Sequence, residues 1–115
     1  MRFSPRDPGL YVFQHFTGAA YAMLGDMDNA IEWYRRSIAS NPDFPDPHWH
    51  VAALLALSDR EDEAHEEIAR YLSLPLTKSR SIAQIRASLP PPNPGFAAFR
   101  ERRWEGLRKA GMPEE

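Results

Sequence analysis

The chain has 115 residues, of which 43% are hydrophobic and 26% charged, with a net charge of −2 and no cysteine. This size fits one domain with a modest core, and the missing cysteine excludes disulfide scaffolds, cysteine-ligated metal centres and a thiol nucleophile. The near-neutral charge predicts no general nucleic-acid or membrane surface. A sequence without a basic-then-apolar start or a long apolar run predicts a cytoplasmic protein.

Eleven prolines, nearly twice the average usage, fall in clusters and leave long segments free of proline. Proline breaks helix interiors but suits first turns and positions just past an end. The proline-free segments carry apolar residues at spacings of three and four, which predicts helices, and no segment alternates with period two. The sequence therefore predicts an all-α fold of about six helices, over residues 8–24, 28–40, 46–58, 61–74, 79–89 and 94–110.

Capping residues are predicted at several of the helix ends. Asp7 is expected to cap the first helix, with Pro8 in its first turn, and Gly25 to end it. Asp28 is the expected cap of the second helix. Asp46, which precedes a proline, is the expected cap of the third.

A shift of 34 residues aligns residues 11–44 with residues 45–78 without a gap. Small and large residues then fall at matching places, as when Gly18 meets Ala52 and Tyr34 meets Ile68. The identical pairs are Ala19/Ala53, Ala22/Ala56, Asp28/Asp62, Ala30/Ala64, Glu32/Glu66 and Arg36/Arg70.

The residues that carry a family resemblance are Gly18, Tyr21, Gly25, Ala30, Tyr34 and Pro42. They resemble the signature of the tetratricopeptide repeat (TPR), a 34-residue helical hairpin. The resemblance implies an α-α superhelix of antiparallel hairpins in one domain, residues 1–115. Residues 7–44 and 45–78 are then two repeats, 79–112 a degenerate closing helical pair, and 1–6 the stub of a preceding repeat. In the second repeat Asp59 stands where the turn glycine is expected.

The last part of the chain carries a narrower resemblance. Residues 90–114 resemble the tail of TPR regions in bacterial class III adenylate/guanylate cyclase-type multidomain proteins. This implies that the chain is the C-terminal TPR segment of a larger signalling protein. None of the metal-binding aspartates or purine-binding residues of a cyclase can be placed in it, so the chain itself is predicted not to be an enzyme.

The sequence offers little for catalysis or cofactor binding. Its histidines form no HExxH motif and no pair at i and i+4, and it contains neither GxGxxG nor GxxxxGK[ST]. We therefore predict no metal, no cofactor and no catalytic residue.

The resemblance implies a concave groove, lined by the first helix of each repeat, that receives a protein or peptide partner. The groove residues it assigns are Val12, His15, Ala19, Met23, Trp49, Ala53 and Ala56. This apolar lining favours a hydrophobic peptide or helix over an acidic C-terminal peptide. Two alternatives stay open: Met23 and Trp49 pack on neighbouring units instead, or exposed apolar ends pair two chains as a homodimer.

The last predicted helix is rich in charge, and residues 79–115 carry a net charge of +3. One interpretation is a solvated cap that closes the array, and the other is a basic docking face for an acidic partner. Trp104 is predicted to pack this helix onto its neighbour.

Overall fold

A computed structural model describes residues 8–115, apart from the side chain of Phe96. Those residues form six α-helices and no β-strand, which confirms the all-α prediction. A short 3-10 turn, Pro94–Phe96, precedes the last helix. The helices are α1 Leu10–Met23, α2 Met27–Ser40, α3 Asp46–Leu57, α4 Glu61–Ser73, α5 Ile82–Ser88 and α6 Ala97–Lys109. The expected cap Asp7 and the expected repeat stub, residues 1–6, lie outside the described residues.

Two of the predicted caps were wrong. Asp26, not Asp28, caps α2, because the tight turn at Gly25 leaves Asp26 in a non-helical conformation directly before the helix. Its Oδ1 accepts a hydrogen bond from the backbone N–H of Asn29 at 3.2 Å. Asp46 is the first residue of α3, and Pro45 holds the cap position with no side-chain bond.

The turns that close the two hairpins are built alike. Gly25 after α1 has φ +80° and Asp59 after α3 has φ +61°. In each turn the next residue's N–H bonds back to the helix, from Asp26 to Tyr21 O at 3.0 Å and from Arg60 to Leu55 O at 2.9 Å. This is the Schellman motif, which satisfies carbonyls at a helix end and favours a left-handed residue.

Small residues set the helix crossings of the core. α1 packs on α2 and α3 on α4, and the two hairpins meet where α2 contacts α3. Ala30 and Ala64 are fully buried at equivalent places in the repeat. A Cβ atom at Gly18 would lie 3.0 Å from the ring of Tyr34, so the glycine gives that ring its space.

The third helical pair is arranged differently from the first two. α5 and α6 touch only slightly, and α6 packs along α3 instead. The C-terminal tail ties back to α5, where the N–H of Ile82 donates to Pro113 O at 2.8 Å. The helix α6 therefore covers mainly the second repeat and leaves α1 more open.

Candidate functional site

One face of α1 is apolar and open. Val12 is 37%, Phe16 65% and Met23 48% exposed. These residues lie four and seven positions apart, so they follow one another along the same side of the helix. A contiguous row of large exposed apolar side chains is typical of an interaction surface.

Three cavities run along this face. The first, about 460 Å³, lies between α1, α3 and α5, and the second, about 190 Å³, between α1, α3 and α6. The third, about 350 Å³, lies between Met23, the proline run 90–92 and Phe99. The first two share Phe16 and Leu89, and the last two share Ala19, so they form one continuous depression. We call it the α1 groove.

Stacked rings form the floor of the α1 groove. His50 lies between two aromatic neighbours, with its ring centroid 3.7 Å from that of Trp49 and 5.0 Å from that of Tyr34. His15 packs edge-on against His50 at 5.0 Å. Both histidines are buried, and the Nδ1 atom of each has no hydrogen-bond partner among the described residues.

The two floor histidines are neutral near pH 7. Burial, with a smaller contribution from Arg103, lowers the pKa of His15 to about 4. Burial also lowers the pKa of His50 well below its usual value, with Arg103 and His15 adding to the effect.

Positive charge enters the α1 groove from α6. Arg103 is half-buried; its Nη2 faces the hydroxyl of Tyr34 at 3.5 Å, and its guanidinium lies 4.2 Å from the ring centroid of Phe99. Arg100 donates from Nη1 to the carbonyl of Pro90 at 2.5 Å. Burial is the largest influence on Arg103 and lowers its pKa.

The seven predicted groove residues divide between open and covered positions. Val12 and Met23 are exposed, Ala19 is half-buried and His15 belongs to the floor. The three predicted residues of α3, Trp49, Ala53 and Ala56, are all buried.

The helix α6 closes the α3 side. The ring of Trp104 stacks over Trp49 with centroids 6.0 Å apart, and Gly106 lies against the backbone of Ala53. Trp49 therefore packs on the closing unit, as the alternative interpretation had it, and Trp104 packs the last helix onto its neighbour as predicted.

Sequence reasoning missed many residues of the α1 groove, among them Phe16, Arg100 and Arg103. Phe16 stands one helical turn after Val12, so its place in the row was readable from spacing. Arg100 and Arg103 reach the groove only because α6 lies beside α3, a contact that no local pattern indicates.

A second cluster of charge lies away from the groove, between α3 and α4. His48 Nδ1 lies 3.3 Å from Glu67 Oε2, and His48 Nε2 lies 3.0 Å from the carbonyl of Pro42. Burial would raise the pKa of Glu67, but the bond with His48 and the charge of Arg70 hold it below the usual value. The cluster ties the second repeat to the end of the first. In the described part of the chain no group of three or more histidines and carboxylates is placed to hold a metal ion.

A protein-family model described as TPR repeat matches residues 18–58, from the second half of α1 to the turn after α3. The architecture is an all-α, TPR-like helical repeat fold. No curated protein matches the chain. In residues 8–115, no helix has both the length and the apolar character needed to cross a bilayer.

Proposed function

We propose that the chain is a non-catalytic protein-interaction module that binds a peptide or a helix in the α1 groove. TPR repeats generally mediate protein–protein interaction and are typically non-catalytic, which supports the general class. The observation that carries the proposal is the open row of Val12, Phe16 and Met23 beside a continuous depression.

The α1 groove has a shape that suits an extended peptide or one face of a bound helix. Val12, Phe16 and Met23, spaced four and seven residues apart, form an apolar stripe on α1 that the apolar side of such a ligand can cover. Phe16, at 65% exposure, stands between two cavities and is the expected anchor. Of the three buried groove residues on α3, Trp49 lines the same two cavities as Phe16.

A peptide selection tests this proposal. Peptides are selected from a random library on the wild-type protein, and their Kd is then measured by calorimetry. Phe16→Asp is expected to weaken binding at least about tenfold, because a carboxylate replaces the anchor. The matched control is Leu76→Asp, an equally exposed apolar residue outside the groove, which should bind as the wild type does. Equal affinity of the two variants would reject the groove.

The second candidate is self-association, with the same row pairing two chains as a homodimer. It is favoured by the further exposure of Leu24, at 81%, at the end of the same helix. Light scattering over a range of concentrations separates the two. A dimer that Phe16→Asp dissociates supports self-association, and a monomer at every concentration excludes it.

The parent protein, the cellular location and the classes of partner are also proposals. We place the chain in a bacterial signalling protein of the adenylate cyclase type, in the cytoplasm and with no nucleic-acid or membrane partner. The likeness of residues 90–114 to such tails supports it. The sequence of the full-length gene tests this proposal, because a cyclase domain is expected in the same reading frame.

A further inference from the structure

The middle of the α1 groove contains a positive charge without a counter-ion. None of the ion pairs among the described residues includes Arg103 or Arg100. The polar contact of Arg103 to the hydroxyl of Tyr34, at 3.5 Å, is at the limit of a hydrogen bond. A guanidinium has five N–H donors, so most of those of Arg103 remain available.

Arg100 brings a second charge to the same place. It lies one helical turn before Arg103, and both line the cavity of about 190 Å³ between α1, α3 and α6. Its bond to the carbonyl of Pro90 ties its guanidinium to the proline run. Two neighbouring cations repel each other, and half-burial increases that cost unless an anion lies between them.

The remaining walls indicate which anion fits. They are largely aromatic, from Phe16, Trp49 and Trp104, and the floor histidines are neutral. A doubly charged phosphate loses much hydration on entering such a cavity. A carboxylate attached to an apolar group loses less and can accept two parallel N–H bonds from one guanidinium.

We propose that this cavity is a carboxylate-binding site, with Arg103 as the main donor and Arg100 as the second. The carboxylate belongs either to a side chain or terminus of the bound peptide or to a free small molecule. The inference rests on the proposed function only in that the carboxylate site lies within the α1 groove. A small free carboxylate tests it without any peptide, so the two proposals can fail separately.

The test is a titration of the full chain with sodium benzoate, against sodium chloride at the same ionic strength. The indole N–H resonances of Trp49 and Trp104 should shift and saturate with benzoate, and that of Trp33 should not. At a tenfold excess over Kd the Tm should rise by about 5 °C. Chloride should produce neither effect.

Variants then locate the site. R103M keeps the aliphatic packing, removes the charge and should weaken benzoate binding at least about tenfold. Its Tm without benzoate should equal or exceed that of the wild type, which a merely structural arginine would not show. The matched control is R102M, an exposed neighbour on α6, which should bind normally. If R103M does not fold, R103K keeps the charge without the planar fork and should bind several-fold more weakly.

Three results would overturn the proposal: no saturable shift, equal benzoate affinity in R103M and R102M, or tighter binding of inorganic phosphate than of benzoate. Once benzoate binding is established, two peptides differing only by glutamate or glutamine distinguish the sources. Preference for glutamate assigns the site to the peptide, and equal affinity assigns it to a free carboxylate.

Discussion

The helices α1 and α3 occupy equivalent places in the 34-residue repeat but have different surroundings. Phe16 in α1 is 65% exposed, whereas its counterpart His50 in α3 is only 7% exposed. His50 is covered by the first repeat, where it stacks on Tyr34 of α2 and packs against His15 of α1. The helix α6 also covers Trp49 and Ala53 of α3, whereas it stands across cavities from α1. A repeat gives its helices the same local fold, and the neighbours of each helix decide which face remains open.

The close fit of α6 on α3 depends on small residues. A Cβ atom at Gly106 would lie 2.5 Å from the carbonyl oxygen of Ala53, so only glycine allows this approach. The Trp104–Trp49 stack lies close by in the same interface. The α3 side is thus covered by a packed interface within the chain.

The largest effect is expected from removing that cover. Trp104→Ala should lower the free energy of unfolding by about 4 kcal/mol, because the ring is almost fully buried. It should also increase acrylamide quenching of Trp49, whose ring loses its neighbour. Urea unfolding followed by fluorescence measures the first effect, and an acrylamide titration of the folded protein measures the second.

The matched control is Trp33→Ala. Trp33 is half-buried on α2, and its contacts are Phe13 and the guanidinium of Arg36. Its loss should cost at most about 1 kcal/mol. If Trp104→Ala and Trp33→Ala lower the free energy of unfolding equally, the packing of α6 on α3 contributes no more to stability than the half-exposed contacts of Trp33.

The features that depend on residues close together in the sequence, such as helix positions and hairpin packing, were predictable. Proline positions and helical spacing located the six helices, and the small residues Gly18 and Ala30 indicated the hairpin packing. The turn at Gly25 was predicted, but the cap was placed at Asp28 because sequence spacing does not reveal which aspartate precedes the first helical turn.

The candidate site was less predictable because it depends on a distant contact. Val12 and Met23 belong to the row on α1 and were identified from the repeat. Trp49 and Ala53, which align with His15 and Ala19 in the repeat, are covered, since Gly106 packs on α3 from far along the chain. The same contact brings Arg103 into the groove, and no spacing rule within α6 indicates that position.

A second difference between the repeats is the buried charge in the second one. His48 and Glu67 pair between α3 and α4, whereas the equivalent positions in the first repeat hold Gln14 and Trp33. Glu67→Ala should cost about 2 kcal/mol, because it leaves the buried Nδ1 of His48 without its hydrogen-bond partner. Chemical denaturation measures the loss. Glu66→Ala, an exposed neighbour, should cost under about 0.5 kcal/mol, and a similar cost for both would show that the pair adds no stability.

The floor histidines of the groove should make stability depend on pH. Both have a pKa in the folded state below the unfolded value of about 6.5, so the unfolded chain binds more protons as the pH falls. Stability should therefore be constant above that value and decline toward pH 4. Between pH 6.5 and 5.5 the loss should be about 1 kcal/mol for each histidine.

Urea midpoints across this pH range test the dependence. His50→Gln should reduce the slope, because one of the two buried titrating rings is removed. His65→Gln, which changes an exposed ring on α4, serves as the control. An unchanged slope in His50→Gln would show that the floor is not the source of the pH dependence.

The smallest effect is expected from the two hairpin turns, which have the same Schellman geometry. Asp59 holds a left-handed conformation at φ +61°, where Gly25 in the first repeat has φ +80°. Because a side chain in this region costs energy that glycine avoids, Asp59→Gly should stabilise the chain by about 0.5–1 kcal/mol.

Gly25→Ala should destabilise the chain by about 1 kcal/mol for the same reason. No atom lies within 4 Å of a Cβ placed on Gly25, so this loss would measure backbone strain without a clash. Opposite signs in the two variants would show that both repeats close with the same turn, and a loss in Asp59→Gly would show that the aspartate contributes more than its conformation.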